Sequence, residues 1–374
     1  MADRLSVFFD PIIFEHETGR GFFEAAASPY LPITEIHPEN ADRVKNMHAI
    51  LKQGPISEAI DWHSGTEVQR EDLLRFHDES YLEDLASIPA TESRSFSSTT
   101  FFGPNGFEIC SKATGLAMAA ADHVFEAKGS IAYALTRPPG HHAQPDRADG
   151  YCFFNNIGVA IEKLRARGLR RAAVIDWDVH HGNGTQEGFY QDPDVLTVSL
   201  HMHHDAWGDS HPQTGDLDET GQGAGAGKNL NLPMPYGSGD TMYNRVFDEI
   251  VVPQVRKHEP EILFIAAGQD ANQFDPNGRQ LLTMQGFHEL GLRARALADE
   301  CCAGKLVLVQ EGGYAISYAA YCLHATLEGV LKRKPALEDP LAYTLEDPLA
   351  YMREDVHVLD EFLDRVNRSL QKIE

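Results

Sequence analysis

Cysteine is scarce in this chain: five thiols (Cys110, Cys152, Cys301, Cys302, Cys322) in 374 residues, an odd number without Cys-x-x-Cys spacing. Neither a disulfide framework nor a thiolate-built zinc site is indicated. Basic residues are also in deficit, 32 Lys and Arg against 56 Asp and Glu, for a formal net charge of −24. Such a surface repels nucleic acid and favours cationic ligands. Long uncharged apolar runs are missing, so no membrane-spanning helix is expected. Met1-Ala2-Asp3-Arg4-Leu5 leads directly into a strand-like run, and the expectation is a soluble cytoplasmic protein. What is present is 42% hydrophobic residue, enough to cover both faces of a sizeable parallel sheet in one large α/β domain.

Several apolar runs end in clusters of metal-binding or proton-carrying side chains. The run Ala172-Ala173-Val174-Ile175 opens into Asp176-Trp177-Asp178-Val179-His180-His181-Gly182-Asn183-Gly184. Open α/β sheets build their sites where a buried strand gives way to a loop. If the extended conformation continues, Asp176, Asp178 and His180 share one face and Trp177, Val179 and His181 the other. Two oxygen ligands and one nitrogen ligand could then hold a divalent cation. Taken alone, an Asp-x-His near a strand end also suits a solvated loop.

A second run, Ile131-Ala132-Tyr133-Ala134-Leu135, leads to Arg137-Pro138-Pro139-Gly140-His141-His142. The prolines stiffen this turn, and a rigidly held imidazole suits general acid and base work near neutral pH. Surface His pairs are the bland alternative. The third, Ile262-Leu263-Phe264-Ile265-Ala266-Ala267-Gly268-Gln269-Asp270, delivers a carboxylate. Asp270 completes a set with Asp178 and His180, and three protein ligands leave a position open, as catalytic sites do. The fourth, Leu306-Val307-Leu308-Val309-Gln310, runs into Glu311-Gly312-Gly313-Tyr314. The glycines free the backbone to aim or swing Tyr314, whose phenol can donate to an oxyanion; a plain wall tyrosine is the other reading.

Together these motifs resemble the histone deacetylase family in its wide sense, which includes bacterial deacetylase-like amidohydrolases and acetylpolyamine amidohydrolases. The resemblance runs from about Phe8 to Leu331 and takes in His37-Pro38-Glu39-Asn40-Ala41-Asp42-Arg43, Phe76-His77-Asp78-Glu79-Ser80-Tyr81-Leu82 and Gly150-Tyr151-Cys152-Phe153-Phe154-Asn155-Asn156. Asn183 makes the chain look most like the class II branch. The implied fold is a three-layer α/β/α arrangement around a mainly parallel sheet, with the active site in loops at the strand C-terminal ends. The implied catalytic domain spans 1–334, with 335–374 as an extension.

The resemblance implies zinc held by Asp178, His180 and Asp270; the ligand types also suit Fe(II) or Mn(II). It implies that metal-activated water attacks an amide, His142 carries the proton to the leaving amine, and His141 gives electrostatic support. Asp176 would orient His141, Asn183 would orient His142, and Tyr314 would stabilise the oxyanion. Potassium sites are implied at Asp176, Asp178, His180, Ser199 and Leu200, and at Phe189, Asp192 and Val195. In the related arginases further carboxylates hold two manganese ions; His181 and Asn272 stand at those places here, which argues against a binuclear site.

Departures from the family pattern fall on substrate choice. Asn277 occupies a position where protein-lysine deacetylases of this branch often have Leu and a polyamine-specific member has Glu. Gln269 puts a polar group near the site floor. The loop Ser95-Phe96-Ser97-Ser98-Thr99-Thr100 lacks the acid that clamps peptide substrates in many relatives, and Glu92 is a poor stand-in for it. Gly150, Tyr151 and Trp207 are expected to line the approach to the metal, with Trp207 alternatively a lid or interface residue, and His201, His203 and His204 to form a polar rim. The expected substrate is an N-acyl amine, an acetyl-lysine peptide or an acetylpolyamine, and cationic. Another small amide is the alternative, with a binuclear ureohydrolase or a non-catalytic acyl-ligand binder as remote ones.

Near the C-terminus, Leu337-Glu338-Asp339-Pro340-Leu341-Ala342-Tyr343 recurs as Leu345-Glu346-Asp347-Pro348-Leu349-Ala350-Tyr351. Two copies are too few for a solenoid. The stretch from Val356 to Ile373 carries Val358, Leu359, Phe362, Leu363 and Val366 at helical spacing, an amphipathic helix that packs on the core or on another subunit. Relatives are often oligomeric, and a homo-oligomer is expected.

Overall fold

A computed structural model of the chain describes residues 4–19, 28–127, 129–203, 214–342 and 356–372. Eight strands form one sheet in which every pairing is parallel: β1 (Leu5–Phe8), β2 (Ile60–His63), β5 (Ile131–Ala134), β6 (Ala172–Asp176), β7 (Val195–Met202), β8 (Asn229–Met234), β9 (Ile262–Ala267) and β10 (Leu306–Gln310). Their order across the sheet is β2-β1-β5-β10-β9-β6-β7-β8. The central strands are continuously apolar because helices cover both faces, and every residue of β5, β6, β9 and β10 is buried. Two short strands, β3 (Arg94–Ser95) and β4 (Phe101–Phe102), make a separate antiparallel pair.

The helices fall into two groups that pack among themselves. One contains α1 (Ala41–Gln53), α9 (Met284–Cys301) and α10 (Tyr318–Val330), with α7 (Asp240–Val246) against α9; the other joins α4 (Gly106–Glu126) to α5 (Asn156–Arg165). The result is the three-layer architecture expected. Helix starts are fixed locally. Thr283 caps α9 by accepting from the Gly286 N–H, and Asn155 caps α5 by accepting from the Gly158 N–H.

The terminal helix α11 (Val356–Leu370) buries Leu359, Phe362, Leu363 and Val366 against the body of the protein. Val358, expected on that face, is 39% exposed; the i, i+3, i+4, i+7 stripe starting at Leu359 is complete without it. Asp360 pairs with Arg245 at 2.8 Å, and the Ser369 hydroxyl donates to the Leu217 carbonyl. In the first copy of the duplicated segment, Leu337 and Leu341 pack on the core and Asp339 accepts from the Tyr318 hydroxyl at 2.8 Å. The second copy and Trp207 lie outside the described residues. No described helix is long and apolar enough to cross a membrane.

Candidate active site

Four neighbouring strands, β5, β10, β9 and β6, end side by side, and the loops leaving them carry the chemistry. Extended backbone stops at Asp176, so the spacing of Asp176, Asp178 and His180 is not held by a continuing strand. Two successive Asx turns hold it instead: Asp176 Oδ1 accepts from the Asp178 N–H and Asp178 Oδ1 from the His180 N–H, both at 3.0 Å.

Asp178, His180 and Asp270 each bring a ligand atom within 4.8 Å of the others, and all three are buried. His180 Nδ1 lies 3.1 Å from Asp178 Oδ1 and 3.1 Å from Asp270 Oδ2. Backbone donors fix the carboxylates: Val179 N–H to Asp270 at 2.8 Å and Gly312 N–H to Asp178 at 2.7 Å. A Cβ on Gly312 would stand 2.2 Å from Asp270 Oδ2. That glycine therefore serves close approach more than the swinging of Tyr314.

The charges fit a metal ion. Burial raises the Asp270 carboxyl and the neighbouring Asp178 charge adds to this, to about 6. Asp178 is held well below the usual carboxylate range, because His141 and His180 outweigh its burial. Burial pulls His180 down, yet its hydrogen bonds to Asp178 and Asp270 push it up to about 10. Two carboxylates this close, out of water, call for a cation, and a divalent ion replaces the proton that His180 otherwise keeps.

Both sequence-predicted dyads are assembled beside this set. His141 Nδ1 is 2.9 Å from Asp176 Oδ2, and His142 Nδ1 is 2.6 Å from Asn183 Oδ1. The two imidazole centroids are 4.0 Å apart, and that of His142 is 6.0 Å from His180. Burial disfavours charge on His141, but Asp178 and Asp176 more than offset this and hold it well above the usual histidine value. The histidine loop is stiffened from α6 (Asn183–Phe189), whose Gly184 and Thr185 N–H groups donate to the His141 carbonyl. Asn155 adds hydrogen bonds to the Ala143 carbonyl and the Thr185 hydroxyl.

Tyr314 is nearly buried, its ring edge-on to Tyr151 at 5.8 Å and 6.4 Å from the His180 ring. Its N–H donates to Asp275 at 2.7 Å, and the Arg43 guanidinium lies 5.1 Å from its ring centre. Gly150 and Tyr151 both have positive φ, +49° and +70°, in a tight turn closed by the reciprocal backbone bonds of Asp149 and Cys152. The Asn277 amide reaches the Tyr151 hydroxyl at 3.4 Å, so these two substrate candidates meet. Thr100 accepts from the Tyr151 N–H, whereas Glu92 is exposed. Gln269 accepts from Gln310 at 2.8 Å, and Gln310 accepts from Tyr133 at 2.6 Å.

Asp176 and Ser199 are register partners across β6 and β7, and Leu200 follows. Phe189, Asp192 and Val195 lie along the α6 to β7 connection, with the Asp192 N–H donating to the Phe189 carbonyl. His181 turns to Gln186 at 2.9 Å and Asn272 to Gln269 and Asp275, so neither joins the three-ligand set. Cys152 is buried, and burial pushes its thiol well up.

Several supporting residues escaped sequence reasoning. Glu311 accepts from the Gly140 and His141 N–H groups. Asp275 anchors the Tyr314 and Ala315 N–H groups. Glu39 sits between the guanidiniums of Arg43 and Arg137, at 3.0 and 2.8 Å. Arg43 and Glu39 stood inside quoted motifs, but nothing local signalled that they meet Arg137.

A parallel sheet whose strand ends gather a buried Asp-His-Asp set and two histidine dyads defines an α/β protein with a candidate metal site at its strand ends. The histone deacetylase domain model matches residues 37–330, and the chain belongs to the histone deacetylase family. It is 47% identical over 347 residues to histone deacetylase 8 of Arabidopsis thaliana, covering 92% of each chain. It is 35% identical to the histone deacetylase-like amidohydrolase of Pseudomonas aeruginosa, covering 91% of this chain and 90% of the relative. The crystal structure of the HDA15 HD domain superposes with a TM-score of 0.78 at 29% identity, over 99% of both chains. The protein is accordingly a hydrolase of the deacetylase and amidohydrolase kind.

Proposed function

We propose that the chain is a zinc-dependent deacetylase that hydrolyses an N-acyl amine of the acetyl-lysine or acetylpolyamine type. The observation that carries this is the pairing of the buried Asp178, His180 and Asp270 set with two imidazoles whose Nδ1 atoms are both engaged. His141 Nε2 in turn lies 3.8 Å from Asp178 Oδ1, beside the three-residue set.

Asp178, His180 and Asp270 would hold the zinc ion, which would supply Lewis acidity toward the acyl oxygen and make a water acidic. His142, its Nδ1–H directed to Asn183, accepts the attacking water's proton at Nε2 and returns it to the leaving nitrogen as the C–N bond breaks. His141, its Nδ1 hydrogen-bonded to Asp176 at 2.9 Å, gives electrostatic support to the developing negative charge. Tyr314 donates its hydroxyl proton in a hydrogen bond to the oxyanion, a donor of the kind worth roughly 3 to 4 kcal/mol of barrier. Potassium would rest on the carbonyl-rich turns at Asp176, Asp178, His180, Ser199 and Leu200 and at Phe189, Asp192 and Val195, as structural support.

The polar Asn277 and Tyr151 pair and the absent loop acid favour a small or cationic amine over an extended peptide, and the net charge of −24 supports a cation. The test is kcat/KM of the zinc-loaded protein on matched acetyl-lysine peptide, acetylpolyamine and acyl-anilide substrates. Asp178→Ala should lose metal and activity together, and Tyr314→Phe should lose turnover with metal retained. A fully active, metal-free Asp178→Ala protein sinks the assignment. Poor rates on the whole panel, with a hydroxamate still binding, favour a different small amide as substrate.

A further inference from the structure

His142 can act as a base at Nε2 only in the tautomer that carries its proton on Nδ1, and that tautomer needs an acceptor facing Nδ1. Asn183 presents Oδ1 there, at 2.6 Å. An asparagine amide has two nearly isosteric ends, however, and rotated by half a turn it would present Nδ2, a donor. A donor facing Nδ1 selects the opposite tautomer, with hydrogen on Nε2 and no base. An aspartate in this place would be symmetric and carry no such risk. Something beyond Asn183 has to settle which way the amide points.

We propose that Asp149 is a positioning residue that, through Asn183, sets the tautomer of His142; this rests on the deacetylase reading above. Asp149 Oδ2 accepts from Asn183 Nδ2 at 3.1 Å. A carboxylate offers only acceptors, so it holds the Nδ2 end of the amide and leaves Oδ1 for His142. Asp149 and Asn183 are each only 6% exposed, so water competes poorly for these bonds. The other oxygen, Oδ1, accepts from the Gly150 N–H at 2.9 Å. Gly150 begins the positive-φ turn that carries Tyr151, and a Cβ on it would lie 2.2 Å from the His142 ring. One carboxylate thus ties together the amide that orients the base and the turn that carries Tyr151.

Charge transposition separates this from a merely structural role. In Asp149→Asn the adjacent Gly150 N–H, fixed in the backbone, keeps the amide oxygen, which turns the new Nδ2 toward Asn183 and puts donor against donor there. In Asn183→Asp two carboxylates face each other at about the present spacing, and the pair is repulsive. In the double variant every bond returns: Asp at 183 accepts from both His142 and the new amide at 149, whose oxygen still accepts from Gly150.

The experiment measures kcat, KM and metal content for zinc-loaded wild type, Asp149→Asn, Asn183→Asp and the double variant. The expected result is a fall in kcat of roughly 10- to 100-fold for each single variant, with KM and metal content unchanged. The double variant should recover to within about threefold of wild type, a strong coupling in a double-mutant cycle. Multiplicative losses in the double variant, or a kcat for Asp149→Asn within about twofold of wild type, overturn the proposal. Imidazole 1H–15N correlation spectra of the zinc-loaded proteins read the tautomer without turnover. They should show hydrogen on His142 Nδ1 in wild type, its loss in Asp149→Asn and its return in the double variant, and an unchanged Asp149→Asn spectrum overturns the proposal. Failure of wild type to hydrolyse any amide would count against the deacetylase reading alone, because the spectra still decide the role of Asp149.

Discussion

Arg137 Nε donates to Glu39 Oε1 at 2.8 Å with both side chains shut off from water, and Arg43 reaches the same oxygen from the other side at 3.0 Å. Burial raises the Glu39 carboxyl, but the two guanidiniums outweigh that and hold it below the usual range. Arg43 also donates to the Gly313 and Glu311 carbonyls, so the cluster braces the loop that carries Tyr314.

Removing the one anion leaves two buried cations unbalanced. Glu39→Gln should therefore cost about 3 to 5 kcal/mol of stability, the range for breaking a buried pair from one side. Urea unfolding of the variant beside wild type measures this. A loss below about 1 kcal/mol would mean that water reaches the cluster.

Gly312 is a steric constraint on the metal set. With a Cβ, residue 312 would sit 2.2 Å from Asp270 Oδ2 and 2.6 Å from Asp178 Oδ2. Gly312→Ala should push the carboxylates apart and weaken metal binding by roughly 10-fold or more. Competition with a chelator of known affinity gives the number, and circular dichroism checks that the fold persists. Unchanged affinity would show that the loop can yield without moving the ligands.

The four central strands and the residues at their ends were legible because each signal was local: an unbroken apolar run, then Asp178 and His180, His141 and His142, Asp270, or Tyr314. Even so, the extended backbone inferred through His180 is replaced by Asx turns, since Asp side chains offer N–H groups an alternative to the strand ladder. Glu39 with Arg137, Asp149 with Asn183, and Glu311 with Gly140 were not legible. These partners lie 98, 34 and 171 residues apart in sequence and meet only once the sheet order is known. Val358 shows the opposite error, an apolar residue assigned to a buried stripe that its neighbours fill without it.

Asn277 and Tyr151 lie together at the approach, 3.4 Å apart. Asn277→Leu removes a polar group from that wall and should favour substrates with an apolar neighbour to the acyl-lysine. Asn277→Glu should favour polyamines by adding a charge that pairs with a second ammonium. Shifts of about 10-fold in relative kcat/KM are the scale expected of one pocket contact. An unchanged ranking across the panel in both variants would remove Asn277 from the determinants of specificity.

Glu311 gives a pH signature. Burial raises its carboxyl and the neighbouring His141 charge reverses this only in part, so it titrates at about 7 against an ordinary value of 4.5. Between those values the folded chain holds a proton that the unfolded chain has released, so this group's contribution to stability declines as pH rises through the window. In Glu311→Gln an amide oxygen can still accept from the Gly140 and His141 N–H groups, and no proton is taken up. The stability of wild type relative to Glu311→Gln should therefore fall between pH 4.5 and 7, by up to about 3 kcal/mol if the whole shift is expressed. Urea midpoints of both proteins at several pH values across the window test this. A difference that stays flat would mean that Glu311 is ionised throughout and that its charge is balanced by the cation in the neighbouring site.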